Sequence, residues 1–158
     1  MKKIFLRLGE AICVIILAVF ILFVSTQDKI STTPFKEVAK AVGAECDLKG
    51  LKKRDKLEFK DKFSLDASEF KNMAYYSSDS VMDVREIVLL FSDDKEALKK
   101  AEEEIIRYVG EKQQLFEGYA PEESELISSH VLINKKGYIL FYIGQDKEKV
   151  ASAFSGKL

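Results

Sequence analysis

The sequence predicts an α+β protein: an antiparallel sheet of about four strands in β-β-α-β-β-α order, with helices mostly on one face, after an N-terminal transmembrane helix. Three observations carry this. An unbroken apolar stretch opens the chain, Ala11 to Val24. Two later apolar runs, Ile87–Phe91 and Tyr138–Ile143, are short enough for strands and too continuous for one-sided helices. Between them lies a segment with helical periodicity and charges on its polar side.

The chain has 158 residues, 47% hydrophobic and 32% charged, which suits one soluble domain and an anchor. Net charge is −1. The first ten residues carry Lys2, Lys3 and Arg7 against Glu10, or +2, leaving −3 for the rest. A mildly acidic domain has no field suited to a phosphate backbone, so nucleic acid is excluded as a partner class.

Fourteen apolar residues are short for a spanning helix, but Ile4, Phe5, Leu6 and Leu8 extend the stretch. Counted over residues 4–25 it spans a thin bilayer, with Arg7 and Glu10 on one helical face where they can pair. The positive charges come first, which places the N-terminus in the cytoplasm and the domain outside. Cleavage as a signal peptide stays open, although Val24-Ser25-Thr26 is a poor match to the small residues a signal peptidase needs. Cys13 lies near the start of the apolar run rather than at its end, unlike a lipoprotein cysteine. The expected division is residues 1–26 for the cytoplasmic tip and anchor, 27–33 for a linker, and 34–158 for the extracytoplasmic domain. With Cys13 in the apolar segment, that domain holds one thiol, Cys46, and no internal disulfide.

Within the domain, Pro34 sits where helices start, and Phe35, Val38, Ala39 and Val42 recur at helical spacing until Gly43. A second short helix falls within Asp47 to Phe63. Phe70 to Tyr76 suits a strand, Ser77 to Asp83 a turn, and Ile87 to Phe91 a strand covered on both faces. Asp93 with Glu96 reads as a capping box for a long helix with the stripe Leu98, Ala101, Ile105 and Tyr108. Its wet side offers Glu96–Lys100 and Glu103–Arg107 pairs, and it continues past Gly110 to Phe116. Gly118 ends it and Pro121 opens the next, with Glu122 and Glu123 in its first turn. His130 to Ile133 is a strand, Asn134-Lys135-Lys136-Gly137 a type I turn, Tyr138 to Ile143 a strand, and Lys147 to Phe154 a closing helix.

The segment Phe116-Glu117-Gly118-Tyr119-Ala120-Pro121-Glu122-Glu123 closely resembles the signature of the domain of unknown function 4358. Lys136-Gly137-Tyr138 and Glu86, each leading into an apolar strand, resemble further parts of its pattern, although the family usually has a residue between that glycine and tyrosine. The resemblance runs over roughly Pro34 to Phe154. It implies a membrane-anchored or lipid-anchored envelope protein of a Gram-positive anaerobe, and it assigns no activity.

No catalytic, cofactor or metal signature emerges from the residues. His130 stands alone, without an elbow-like glycine pattern around Ser128 or Ser129. One histidine and one outer cysteine cannot make a zinc site. Glu117, Glu122, Glu123 and Glu125 cluster around Tyr119 and read first as helix-terminus electrostatics. No phosphate-binding glycine loop occurs.

Two surfaces are candidates instead. Gly118, Tyr119, Pro121 and Glu122 form either a structural corner, with the Tyr119 ring packed on the sheet or the long helix, or the rim of a binding site. Tyr138 and Tyr142 share one strand face, which is either covered by the lead-in helices or open as a docking face. The expectation is a non-enzymatic, membrane-tethered accessory or interaction module with an envelope or membrane protein partner, and with room for a homo-oligomer. The competing expectation is an extracytoplasmic ligand-binding or sensor domain with a pocket near Tyr119.

Overall fold

A computed structural model describes residues 12, 13, 15–19 and 29–158. The chain divides into two units, Met1–Ile30 and Ser31–Leu158. In the first, the described residues 12, 13 and 15–19 are helical, and Ile12, Ile15, Ile16, Leu17 and Val19 are exposed. No helix among the described residues is long and apolar enough to cross a membrane. Most of the expected span at residues 4–25, and the Arg7–Glu10 pair, lie outside the described residues.

The second unit runs α1 (Phe35–Glu45), β1 (Leu51–Lys53), α2 (Lys56–Phe63), a 3-10 turn (Ala67–Glu69), β2 (Asn72–Ser78), β3 (Glu86–Phe91), α3 (Lys95–Phe116), α4 (Pro121–Ser128), β4 (Val131–Lys135), β5 (Tyr138–Ile143) and α5 (Lys147–Lys157). The strands form one sheet of order β1-β2-β3-β5-β4, with every neighbouring pair antiparallel. The expected α+β sheet is therefore present, with a fifth strand where about four were read. The extra strand is three residues long, too short for its alternation to register, and it borders β2 at the sheet edge.

Strand alternation sorts the core into two layers. Val88, Leu90, Ile139, Phe141 and Ile143 face α2, α3 and α4. Ile87, Leu89, Tyr138, Leu140 and Tyr142 face α1 and α5. The helices thus divide three and two, a more even cover than the one-sided layer expected. The reason is that β3 and β5 are apolar on both faces, so neither face can be left to water.

Tyr138 and Tyr142 lie in the second layer at 0% and 4% exposure, so the docking-face reading of these tyrosines is corrected. Phe35 of α1 stacks on Tyr138 with ring centroids 6.3 Å apart. The Tyr138 hydroxyl donates to the Thr33 carbonyl at 2.7 Å, so the lead-in segment is stitched to the sheet it covers.

Local boundaries differ from the expectation in instructive ways. Helix α1 continues through Gly43 to Glu45, since glycine permits rather than enforces a stop. Asp94, not Asp93, caps α3 by accepting from the amides of Glu96 and Ala97. Asp93 instead pairs with Lys71 at 2.6 Å. Arg107 pairs with Glu104 and Glu111, and Lys100 reaches Glu69 in the 3-10 turn, replacing the two expected pairs. The β4–β5 connection is a two-residue loop, Lys136 at φ 52° and Gly137 at φ 88°. Two consecutive positive φ values define a primed hairpin turn, so the type I turn starting at Asn134 is corrected; the primed form matches the strand twist.

Candidate functional site

The most unusual chemistry in the described residues sits at the first position of β3. Glu86 is 1% exposed, and alternation points it toward α3. Its carboxylate accepts from the Tyr75 hydroxyl at 2.6 Å, the Tyr108 hydroxyl at 2.7 Å and the Lys112 ammonium at 2.9 Å. Tyr75 comes from β2, and Tyr108 and Lys112 stand four apart on one face of α3. Burial, and then the Glu86 charge, push both phenols far above the ordinary tyrosine range, so each stays protonated and donates. Lys112 also donates to the Val84 carbonyl at 3.2 Å. The Lys62 and Lys112 ammonium groups each lie 5.4 Å from the centre of the Tyr108 ring, within cation–π range.

Glu86 is buried at the floor of the cleft described next. Three donors take up three of the roughly four lone-pair positions of its carboxylate. The cluster joins β2, β3 and the end of α3, where isolated charges would be too costly to bury.

Above the cluster opens a cleft of about 320 Å³, between the β2–β3 loop and the C-terminal half of α3. Ser77, Ser78, Ser80 and Asp83 line one wall, and Tyr108, Lys112, Leu115 and Phe116 the other. Most charges at its mouth are already paired: Asp79 with Lys52 and Arg54, Arg85 with Asp83 and Asp47, Glu111 with Arg107.

Of the corner segment that follows α3, Phe116 lines this cleft. Gly118 adopts φ +74°, which allows the Tyr119 and Ala120 amides to return to the Phe116 carbonyl at 3.3 and 3.1 Å. Pro121 begins α4. The backbone corner therefore forms, but Phe116 and Ala120 are its buried members, while Tyr119 is 67% exposed. Of the expected packing on the sheet or the long helix, the ring keeps one contact, with Phe116 at the end of α3, centroids 6.3 Å apart; it otherwise turns outward, and its hydroxyl contacts the Met82 sulfur at 3.1 Å. Glu122 borders a separate shallow groove of about 380 Å³ with Glu125, Ser129, Gly144 and Lys147.

Val81, Met82, Leu115 and Tyr119 together make an exposed apolar lip. Val81 is 89% exposed at the tip of the β2–β3 loop, and Leu115 is 75% exposed at the end of α3. The lip lies at one end of the sheet. At the opposite end the Ser31 amide donates to the Lys136 carbonyl at 2.8 Å, where the chain joins this unit.

The remaining polar candidates are spoken for. The His130 ring contacts the Ile127 carbonyl through Nδ1 at 2.9 Å, and the Ser128 and Ser129 hydroxyls donate to backbone carbonyls of α4. No cluster of His, Cys, Asp or Glu among the described residues is placed to hold a metal ion. Cys46 packs against the opposite layer, where burial first and nearby acids second push its thiol up to about 12.

The sequence signal for the Glu86 cluster was weak but present. An acid opens an otherwise apolar strand, and Tyr108 and Lys112 continue the buried stripe of α3 at helical spacing. Nothing in the sequence links them to Tyr75.

The geometry defines an α+β domain with a polar cleft beside an apolar lip, and no assembled catalytic constellation among the described residues. Residues 44–144 match the family described as Domain of unknown function (DUF4358), and the chain belongs to that family. No curated protein and no solved structure matches the chain.

Proposed function

We propose that the chain is a membrane-tethered, extracytoplasmic accessory module of the bacterial cell envelope, which works by docking a protein rather than by catalysis. One observation carries the docking reading: Val81, Met82, Leu115 and Tyr119 form an exposed apolar lip on a domain whose core is otherwise closed on both faces. Apolar side chains gathered at one surface are the common mark of an interaction site. The apolar stretch from Ala11 to Val24, preceded by Lys2, Lys3 and Arg7, supports the tether and its orientation.

The test uses the full-length chain in its native membrane. A photo-crosslinking residue in place of Leu115 should capture a defined protein, and one in place of Lys135 should not. The chain should resist carbonate extraction, and its C-terminal domain should be open to external protease in spheroplasts. A mature N-terminus near Gln27 would remove the tether from the reading.

The second reading, an extracytoplasmic ligand-binding or sensor domain with a pocket near Tyr119, draws on the 320 Å³ cleft lined by Leu115 and Phe116. That volume is at the small end of ligand sites. Native mass spectrometry of the purified full-length chain, showing a co-purifying small molecule lost on Ser78→Trp, would favour it.

A further inference from the structure

We infer that the partner docked by the lip is a second copy of this chain, in a two-fold dimer closed around Val81. This rests on the docking reading above and names its partner.

The lip is flanked by two surfaces of opposite charge. On one side, residues 115–125 carry four glutamates and no basic residue, a net charge of −4. Among the described residues none of these glutamates forms an ion pair, and Glu117, Glu122 and Glu125 are exposed. On the other side, residues 49–62 carry seven Lys or Arg against three Asp or Glu, a net charge of +4, of which Asp79 and Asp66, paired with Lys52, Arg54 and Lys60, offset two. There Lys56 and Lys62 of α2 are exposed and have no carboxylate partner among the described residues, and Leu57 beside Lys56 is 65% exposed.

The β2–β3 loop touches both surfaces. Asp79 near its start is bonded to Lys52 and Arg54, and Met82 in its middle contacts Tyr119. The order across this end of the domain is therefore acidic corner, apolar loop, basic segment.

Such an arrangement is complementary to itself. A two-fold axis near Val81 sets the acidic corner of each copy against the basic segment of the other, twice, with the apolar loop and leucines between. Isologous pairing of this kind closes on itself and is the commonest oligomer symmetry. Opposed potentials orient the encounter, and the apolar centre supplies the favourable burial.

The experiment is sedimentation equilibrium of the full-length chain in detergent, up to about 1 mM, the effective-concentration scale of a short tether. A monomer–dimer equilibrium that weakens with added salt is expected. Two variants, the triple Glu117→Lys, Glu122→Lys, Glu125→Lys and the double Lys56→Glu, Lys62→Glu, should each weaken the dimer at least about tenfold. Mixing the two variants should restore association, because both contacts of the mixed dimer are then opposite in sign. If either variant fails to melt like the parent chain, Val81→Cys in a Cys13→Ser, Cys46→Ala background decides, with rapid disulfide-linked dimer expected.

A chain that stays monomeric, a dimer indifferent to both reversals, a mixture that does not re-associate, or no Val81→Cys disulfide would each overturn the inference. A monomer whose Leu115 position still crosslinks another envelope protein would overturn the dimer and leave the docking reading standing.

Discussion

Lys112 and Glu86 form a buried ion pair 2.9 Å apart, joining the end of the long helix to the first residue of the central strand. The lysine side chain is 14% exposed and the glutamate 1%. Removing Glu86 strands the Lys112 charge together with the Tyr75 and Tyr108 hydroxyls. Glu86→Leu should therefore lower stability by about 3–5 kcal/mol. Glu86→Gln keeps an acceptor for the phenols and should cost about 1–3 kcal/mol. Urea denaturation midpoints at neutral pH measure both, and equal costs would contradict the charged account of this cluster.

The hairpin between β4 and β5 depends on Gly137, at φ 88°. A Cβ is disfavoured in that region, so Gly137→Ala should cost about 1 kcal/mol. An unchanged denaturant midpoint would argue against the primed turn.

Tyr119 is exposed, so its removal should leave the fold alone. Tyr119→Ala should keep stability within about 0.5 kcal/mol of the parent chain, as for an ordinary surface position. Association or partner capture should fall in the same variant. A large drop in the thermal melt would show that the ring is part of the core packing after all.

Asp66 caps the 3-10 turn before β2. The Ser68 hydroxyl, then the Ser68 amide and Lys60, hold its carboxyl at about 2. A carboxyl depressed by folding contributes stability that is present above its unfolded value and is lost as pH falls through the folded one. The penalty of Asp66→Asn should thus be full at neutral pH, shrink below about pH 4, and vanish toward pH 2. Parallel denaturation curves at several acid pH values check the trend, and a penalty independent of pH would refute it.

Cys46 is held as a neutral thiol, pushed up to about 12 mainly by burial. In a Cys13→Ser chain, alkylation at pH 8 should be at least about a hundredfold slower than in denaturant, because the thiolate is the reactive form. Rapid alkylation of the folded chain would mean that Cys46 is more open than its packing shows.

Several elements were legible from local chemistry alone. The strand Tyr138–Ile143 keeps its expected bounds and the long helix its expected end at Phe116, because continuous apolar runs and helical stripes have few alternative placements. Gly118 and Pro121 mark the corner for the same reason, since their backbone preferences act within two or three residues. The net charge and the N-terminal apolar stretch belong to the same local kind of information. Tertiary structure alone decided the rest. Strand order paired β3 with β5 and so sent Tyr138 and Tyr142 into a covered layer. It brought Tyr75, Glu86, Tyr108 and Lys112 together from three elements. It set the acidic corner and the basic segment on either side of one loop. Alternation and periodicity say which face a side chain takes, but not which element will meet it there. That follows from burying both apolar faces of one sheet, a condition no local window contains.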